Sequence, residues 1–211
     1  YDKAGVSIER GNQAIKEIKQ YVESTYTADV LGKHGDFGGQ FKLGDHTLVS
    51  SIDGVGTKSI FVKKWLETEH AFFNLGLDIV NHCINDILVQ GGEPLFFLDY
   101  FGSGSLDPNE LFNFVRGIVA SCCSHGVVLM GGETAEMPDS YKENVTELIG
   151  CIIGVKSPSL INVNTFWDHA EEYTVLCYPS SGPHTNGYSL IRKLSLNPEE
   201  PIDKQIIKQM V

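Results

Sequence analysis

No stretch of the sequence approaches the ~18 consecutive apolar residues of a membrane-spanning helix, so no such span is expected. Basic residues are also scarce. Against 27 Asp and Glu stand only 16 Lys and Arg, and the formal net charge of −11 argues against a general nucleic-acid binder, whose footprint is basic. Nucleotide substrates stay open, because one local lysine and a metal ion neutralise phosphates. The five cysteines, Cys83, Cys122, Cys123, Cys151 and Cys177, are odd in number, sit mostly in apolar segments and form no Cys-x-x-Cys pair. That pattern points to a reduced, cytoplasmic protein with buried thiols, not to a disulfide framework or a zinc site. The histidines show no His-x-x-x-His spacing, which speaks against a zinc enzyme. Repeats and low-complexity tracts are missing. The opening Tyr1-Asp2-Lys3-Ala4-Gly5 has no initiator methionine and the character of neither a signal nor a transit peptide, so it reads as a trimmed start.

An apolar share of 42% is enough for an ordinary core. The most informative segment is Asp53-Gly54-Val55-Gly56-Thr57-Lys58, directly after the strand-like run Thr47 to Ile52. Glycines let backbone amides approach a ligand, lysine offers a compact charge to phosphate, and an aspartate can hold Mg²⁺ together with substrate phosphates. The spacing is not that of a P-loop. Both a phosphate site and a surface turn fit these six residues.

The rest of the chain alternates in type. A first helix is expected over Glu9 to Glu23, with Ile15, Ile18 and Val22 on one face. A glycine-rich loop follows from Leu31 to Gly39, and a possible second helix runs from Ser59 to Leu66. From about Asn74 to Gln90, an apolar stripe of Val80, Cys83, Ile84, Ile87 and Leu88 lies beside a polar stripe of Asp78, His82, Asn85 and Asp86. Neither carboxylate of that stripe has a Lys or Arg at helical ion-pair spacing, which suggests a cation or a ligand's hydroxyls unless the face is merely solvated. Pro94 should end this element before a buried strand, Leu95 to Phe101, whose single charge, Asp99, needs a partner or a place at the sheet's end. Asp107 as N-cap, Pro108 in the first turn, Glu110 in the capping-box position and Gly126 beyond the end frame the next helix.

A short strand, Val127 to Met130, is expected to run into a turn at Gly131-Gly132-Glu133-Thr134 and on to Pro138. Further strands are expected at Leu148 to Val155 and Tyr173 to Tyr178, then Ser180 to Gly187 and a helix carrying Tyr188, Leu190, Ile191 and Leu194. This order favours an α/β or α+β sheet covered by helices. One domain over 1–167 and the start of a second over 168–211 are expected. If the ends of neighbouring strands meet, Asp53, Asp86 and Glu133 are candidate metal ligands. Gly54, Gly56, Thr57, Lys58, Gly131, Gly132 and Thr134 would then stand around an ATP–Mg²⁺ complex. His184 suits proton transfer by its ordinary pKa of ~6.5, and fits equally well as a structural residue at a helix start.

These segments resemble the aminoimidazole ribonucleotide (AIR) synthetase family in their order. The similarity lies in Asp53 to Lys58, Asn85-Asp86 through Gly91-Gly92-Glu93-Pro94 to Tyr100, Gly131 to Pro138, and Ser180 to Leu190, with Ala4-Gly5-Val6 and Gly11-Asn12 at the start. The resemblance implies ATP-dependent closure of formylglycinamidine ribonucleotide to AIR in purine biosynthesis. It implies Lys58 and His184 as catalytic groups, with His34 a further candidate, and a homodimer whose N-terminal domains share a β-barrel. Fusion to other purine-pathway domains is open. Family members continue past the position of Val211 into a fuller second domain, so one wall of the site is expected to be incomplete here. Other readings are a truncated, non-catalytic nucleotide-binding module, or a related ATP-using enzyme such as a selenophosphate synthetase, a thiamine-phosphate kinase or a hydrogenase-maturation protein. The absence of cysteine before Cys83 disfavours the selenophosphate enzyme, which usually carries a reactive residue near its start.

Overall fold

The structure, a computed structural model, describes residues 2–143, 145–157, 170–194, 196–197 and 199–210. The expected boundary at 167/168 lies outside them. Helix α1 (Ile8–Glu23) starts at Ser7, whose hydroxyl accepts from the Arg10 amide, yet none of its residues is buried, and Ile15 and Ile18 are about half exposed. Next come β1 (Gly39–Leu43) and β2 (His46–Gly54), an antiparallel hairpin turned through Gly44-Asp45 with Gly44 at φ +60°. The sequence reading missed β1. Its signal is that two-residue Gly-Asp connection, a turn that needs positive φ.

Helices α2 (Lys58–Trp65) and α3 (Thr68–Leu88) lead into β3 (Gly92–Ser103), α4 (Pro108–His125), β4 (Val128–Glu136) and β5 (Thr146–Lys156). Pro94 lies inside β3 and does not precede it; a register shift between Pro94 and Phe96 accommodates its missing N–H. Helix α4 is framed as its sequence signals require: the Asp107 carboxylate accepts from the Asn109 amide, and Gly126 closes the helix at φ +67°. Glu110 does not complete a capping box. It is buried, and its carboxylate meets Lys63 at 2.6 Å and Thr146 at 3.1 Å. The expected turn at Gly131 to Thr134 is strand, because β4 continues in parallel register with β3 as far as Ser103 opposite Glu136.

The sheet order is β1-β2-β5-β3-β4, antiparallel except for the β3–β4 pair that α4 connects. It is open: β1 and β4 are its two edges and do not pair with each other. A barrel requires its last strand to pair with its first, so the expected β-barrel is overturned. Helices α3 and α4 cover one face, where Phe97, Phe101, Leu148 and Ile152 pack against Leu75, Ile79, Phe114 and Ile118, all fully or almost fully buried. The helices cross at two glycines. A Cβ on Gly76 would fall 2.2 Å from the Phe114 carbonyl oxygen, and one on Gly117 would fall 2.0 Å from that of Phe73.

The expected strand at Tyr173 to Tyr178 does not form; Leu176 and Tyr178 are 87% and 98% exposed. Apolar alternation alone cannot supply the neighbouring strand whose backbone groups an extended segment must meet. After it come α5 (Tyr188–Ile191), shorter than expected, and α6 (Pro201–Met210). Tyr188 anchors this C-terminal segment: its ring packs edge-on against Phe61 of α2, and its hydroxyl donates to the carbonyls of Pro183 and Met210. Among the described residues no helix is long and apolar enough to cross a membrane.

Candidate functional site

Strand β2 alternates, sending Val49 and Ser51 toward the helices and leaving Ser50 and Ile52 exposed. Asp53 continues the helix-facing series and meets α3. There the polar stripe is real, and its members have separate fates. His82 Nε2 lies 2.7 Å from Asp53 Oδ2, and its Nδ1 is hydrogen-bonded to the Thr185 hydroxyl of the C-terminal segment. The Ser51 hydroxyl donates to Asp86 Oδ2 at 2.8 Å. One ligand atom from each of Asp53, His82 and Asp86 lies within 4.8 Å of the other two. Each side of the Asp53–His82 pair stabilises the charge of the other. The hydrogen bond from His82 holds the Asp53 carboxyl below its ordinary pKa, and the same bond holds the His82 imidazolium above its own, against partial burial in both cases.

Asp78, one turn earlier on α3, pairs with Lys58 at 2.6 Å, and the lysine side chain is only 4% exposed. Burial pushes the Asp78 carboxyl above its ordinary pKa, with the Lys58 charge pulling the other way. The Lys58 ammonium also lies 5.3 Å from the centre of the Tyr188 ring. Lys58 therefore points inward from the first turn of α2 and not out over the glycine loop. The sequence missed this pair because its members are twenty residues apart on different helices.

The loop itself is built as a cradle. Val55 is fully buried and its amide donates to the Leu148 carbonyl, Gly56 takes φ +56°, and Thr57 Oγ1 lies 2.9 Å from the Ser189 hydroxyl. Asp53 separates two clefts. One, of about 630 Å³, is lined by Gly54, Gly56, Thr57, Ile60, Tyr141 and Glu147 among others. The second, of about 440 Å³, holds His82, Asp86, Phe37 and His184, with Pro183, Thr185 and Asn186 on its rim.

Of the expected site residues, Asp53, Asp86 and His184 meet at the second cleft, and Gly54, Gly56 and Thr57 line the first. Glu133 does not join the cation ligands. Its strand, β4, is three positions from β2 in the sheet, roughly 14 Å at ~4.8 Å per strand. Gly131 and Thr134 share that exposed edge strand, while Gly132 has a packing role: a Cβ there would fall 2.3 Å from Asp99 Oδ1. That gap admits the Asp99 carboxyl, whose pKa burial raises. His34 lines neither cleft. The thiols divide: Cys83 and Cys122 are buried, and burial pushes them up to about 12 and about 11, but Cys123 and Cys177 are exposed, contrary to the expectation of buried thiols.

The profile of the AIR synthase related protein family, N-terminal domain, matches residues 35–155, which include β1 to β4, all but the last residue of β5, and the Asp53, His82 and Asp86 cluster. The chain belongs to this family. It is similar to the phosphoribosylformylglycinamidine cyclo-ligases of Prochlorococcus marinus subsp. pastoris, 41% identical over 215 aligned positions, and of Leptospira interrogans, 43% identical over 217. Both alignments cover 99% of this chain but only 60% and 61% of those proteins, so the chain spans about three fifths of their length. The fold is also that of tt0281 from Thermus thermophilus, with a TM-score of 0.54 at 19% identity over 67% of this chain and 42% of that one.

Proposed function

We propose that this AIR synthase family member contributes the ATP-binding part of a phosphoribosylformylglycinamidine cyclo-ligase. The reaction closes formylglycinamidine ribonucleotide to AIR and releases ADP and phosphate. The observation that carries this reading is the alignment of almost the whole chain with cyclo-ligases at 41% and 43% identity. In the first step the formyl amide oxygen attacks the γ-phosphorus of ATP, the bond to the β,γ-bridging oxygen breaks, and ADP leaves. In the second, the ring-forming nitrogen attacks the activated carbon and phosphate departs.

Such chemistry relies on positioning and on neutralising charge. Asp53 and Asp86 are suited to hold Mg²⁺, which supplies that neutralisation when bound. The carboxylate of Asp53 stands where the two clefts meet, a position suited to joining nucleotide and ribonucleotide. Gly54, Gly56 and Thr57 would face the nucleotide phosphates, and exposed His184 would serve proton transfer or substrate phosphate. Lys58, paired with Asp78, would act from below by fixing the loop. Glu133 and Thr134 are left to a ligand group reaching β4, away from the Asp53 cation.

A homodimer in the cytoplasm completes the proposal. Ile52, Val128 and Met130, on strands of the sheet, are 70%, 59% and 61% exposed, and a second copy would remove them from water. Light scattering would show twice the monomer mass; a monomer throughout would sink that part. For the reaction, the full-length protein is given formylglycinamidine ribonucleotide, ATP and Mg²⁺, and ADP is followed. Release that requires the ribonucleotide is expected. ATP binding by calorimetry without such release would replace the ligase reading with a nucleotide-binding module.

A further inference from the structure

One imidazole joins the two sides of the second cleft. Asp53 and His82 belong to β2 and α3, and facing them Pro183, His184, Thr185 and Asn186 come from the segment before α5. His82 is hydrogen-bonded on both ring nitrogens, to Asp53 Oδ2 at 2.7 Å and to the Thr185 hydroxyl. An ionised carboxylate only accepts, so the proton of the first bond lies on Nε2. Nδ1 of the neutral ring then accepts from the Thr185 hydroxyl, and Nδ1–H of an imidazolium donates to the same oxygen. A hydroxyl serves both states because it donates and accepts, so the tie does not depend on the charge of the ring. The His82 side chain is 15% exposed and Thr185 is 7% exposed, which leaves water little access to the bond.

A second hydroxyl repeats the pattern. Ser189 Oγ, four residues after Thr185, lies 2.9 Å from Oγ1 of Thr57, four residues after Asp53. The glycine loop is thus tied at both ends to one C-terminal segment. Between the ties, Tyr188 packs on Phe61. Apolar packing is non-directional, whereas the bond to His82 is directional and fixes how the residues before Tyr188 face the cleft. Among those residues is His184, the direct neighbour of Thr185.

We propose that His82 is a positioning residue: bonded to Asp53 through one ring nitrogen and to Thr185 through the other, it sets His184 and its neighbours against the second cleft. That role rests on the reading of this cleft as the ribonucleotide side, with His184 acting there. The tie itself holds with or without that reading.

The test cuts the tie from either end in full-length protein. His82→Gln places an amide where Nε2 stands, so it keeps a partner for Asp53 and loses Thr185. Thr185→Val removes the same bond from the other side, and Thr185→Ser retains it. With formylglycinamidine ribonucleotide, ATP and Mg²⁺, both cutting variants should lower kcat about tenfold, as a misplaced reacting group does, and leave KM for ATP within about twofold. Thr185→Ser should stay within about threefold of wild type, and the double variant His82→Gln/Thr185→Val should be no slower than either single one. A second readout needs no activity. In nucleotide-free protein the amides of Leu190 and Ile191, which donate to the Gly187 carbonyl, should exchange hydrogen about fivefold faster in both cutting variants, the scale of one lost hydrogen bond.

Unchanged kcat in Thr185→Val overturns the proposal, and so does a Thr185→Ser enzyme as slow as Thr185→Val. Additive losses in the double variant overturn it too, because the two residues would then act separately. A rise in KM for ATP that matches the fall in kcat would make the tie part of nucleotide binding, which also overturns it. Wild-type protein without ribonucleotide-dependent ADP release removes the ligase reading. Hydrogen exchange then decides the tie alone: faster exchange in both variants keeps it, and unchanged exchange ends it.

Discussion

Helix α3 carries two charged clusters one turn apart, and they are opposite in kind. At Asp78 the contact to Lys58 is 2.6 Å long, with the carboxylate side chain 24% and the lysine 4% exposed; at His82 the contact to Asp53 is 2.7 Å long, with the carboxylate side chain 48% and the imidazole 15% exposed. Nearly equal distances thus stand for different physics. The first pair is sealed under Tyr188 and keeps its charges for the fold. The second opens on a cleft, where water or a ligand competes for every lone pair. A cation site needs charge that the fold has not already neutralised; of the two clusters the outer one offers it, because Asp86 stands beside the Asp53–His82 pair with only the Ser51 hydroxyl as its partner.

The largest expected effect breaks the sealed pair. Lys58→Met leaves the Asp78 carboxylate without its cation and should cost about 3 kcal/mol of stability, as is usual when one member of a buried pair is removed. Urea unfolding measures it. A cost below that of His82→Gln would reverse the contrast between the two clusters. Somewhat smaller is the effect of Gly117→Ala, which drives a methyl into the Phe73 carbonyl where α3 and α4 cross. Overpacking of this kind costs about 2 kcal/mol. Because it displaces α3 as a whole, both clusters should suffer: lower unfolding stability and weaker Mg²⁺ binding in the same variant. Loss of stability with unchanged Mg²⁺ affinity would show that the outer cluster does not depend on that crossing.

The contrast between the clusters also marks what could be read from the sequence. The polar stripe of α3 was legible because helical periodicity is local: Asp78, His82, Asn85 and Asp86 must share a side. The caps of α4 and the glycine loop after β2 were readable on the same terms, whereas the meeting of Asp53 with Asp86 was expected from the gathering of strand ends in a layered sheet. What spacing could not tell is which carboxylate is already paired, since Lys58 and Asp53 arrive from another helix and a strand. His82 escapes a search for ligand spacing within the helix, because its partners are a strand residue and Thr185, a hundred residues later. The β4 error has the same origin. Gly131 and Gly132 look like a turn until the parallel register with β3 extends the strand through them. Nor could a single chain's sequence distinguish a closed barrel from the open sheet, because that depends on whether β1 and β4 find each other.

The smallest expected effect is the one that separates the sealed pair most cleanly from the open one, and it comes from pH. Burial raises the Asp78 carboxyl above its ordinary pKa, and Lys58 opposes that rise. In Lys58→Met the opposing charge is gone, so the folded-state pKa should climb further. A carboxyl with a raised folded-state pKa binds its proton more tightly in the native chain than in the unfolded one, so acidification stabilises the fold relative to neutral pH. The gain begins as pH falls through the raised folded value and is complete below the unfolded value of about 3.9. The deficit of Lys58→Met against wild type should therefore be greatest near neutrality and shrink as pH falls toward about 5. His82→Gln should show no such recovery, because it leaves the Lys58–Asp78 pair intact. Urea midpoints for both variants and the wild type across that range, with chelator present, decide it. A Lys58→Met deficit that stays constant with pH would mean that Asp78 reaches solvent once its partner is removed, and that the pair is sealed only while both members are in place.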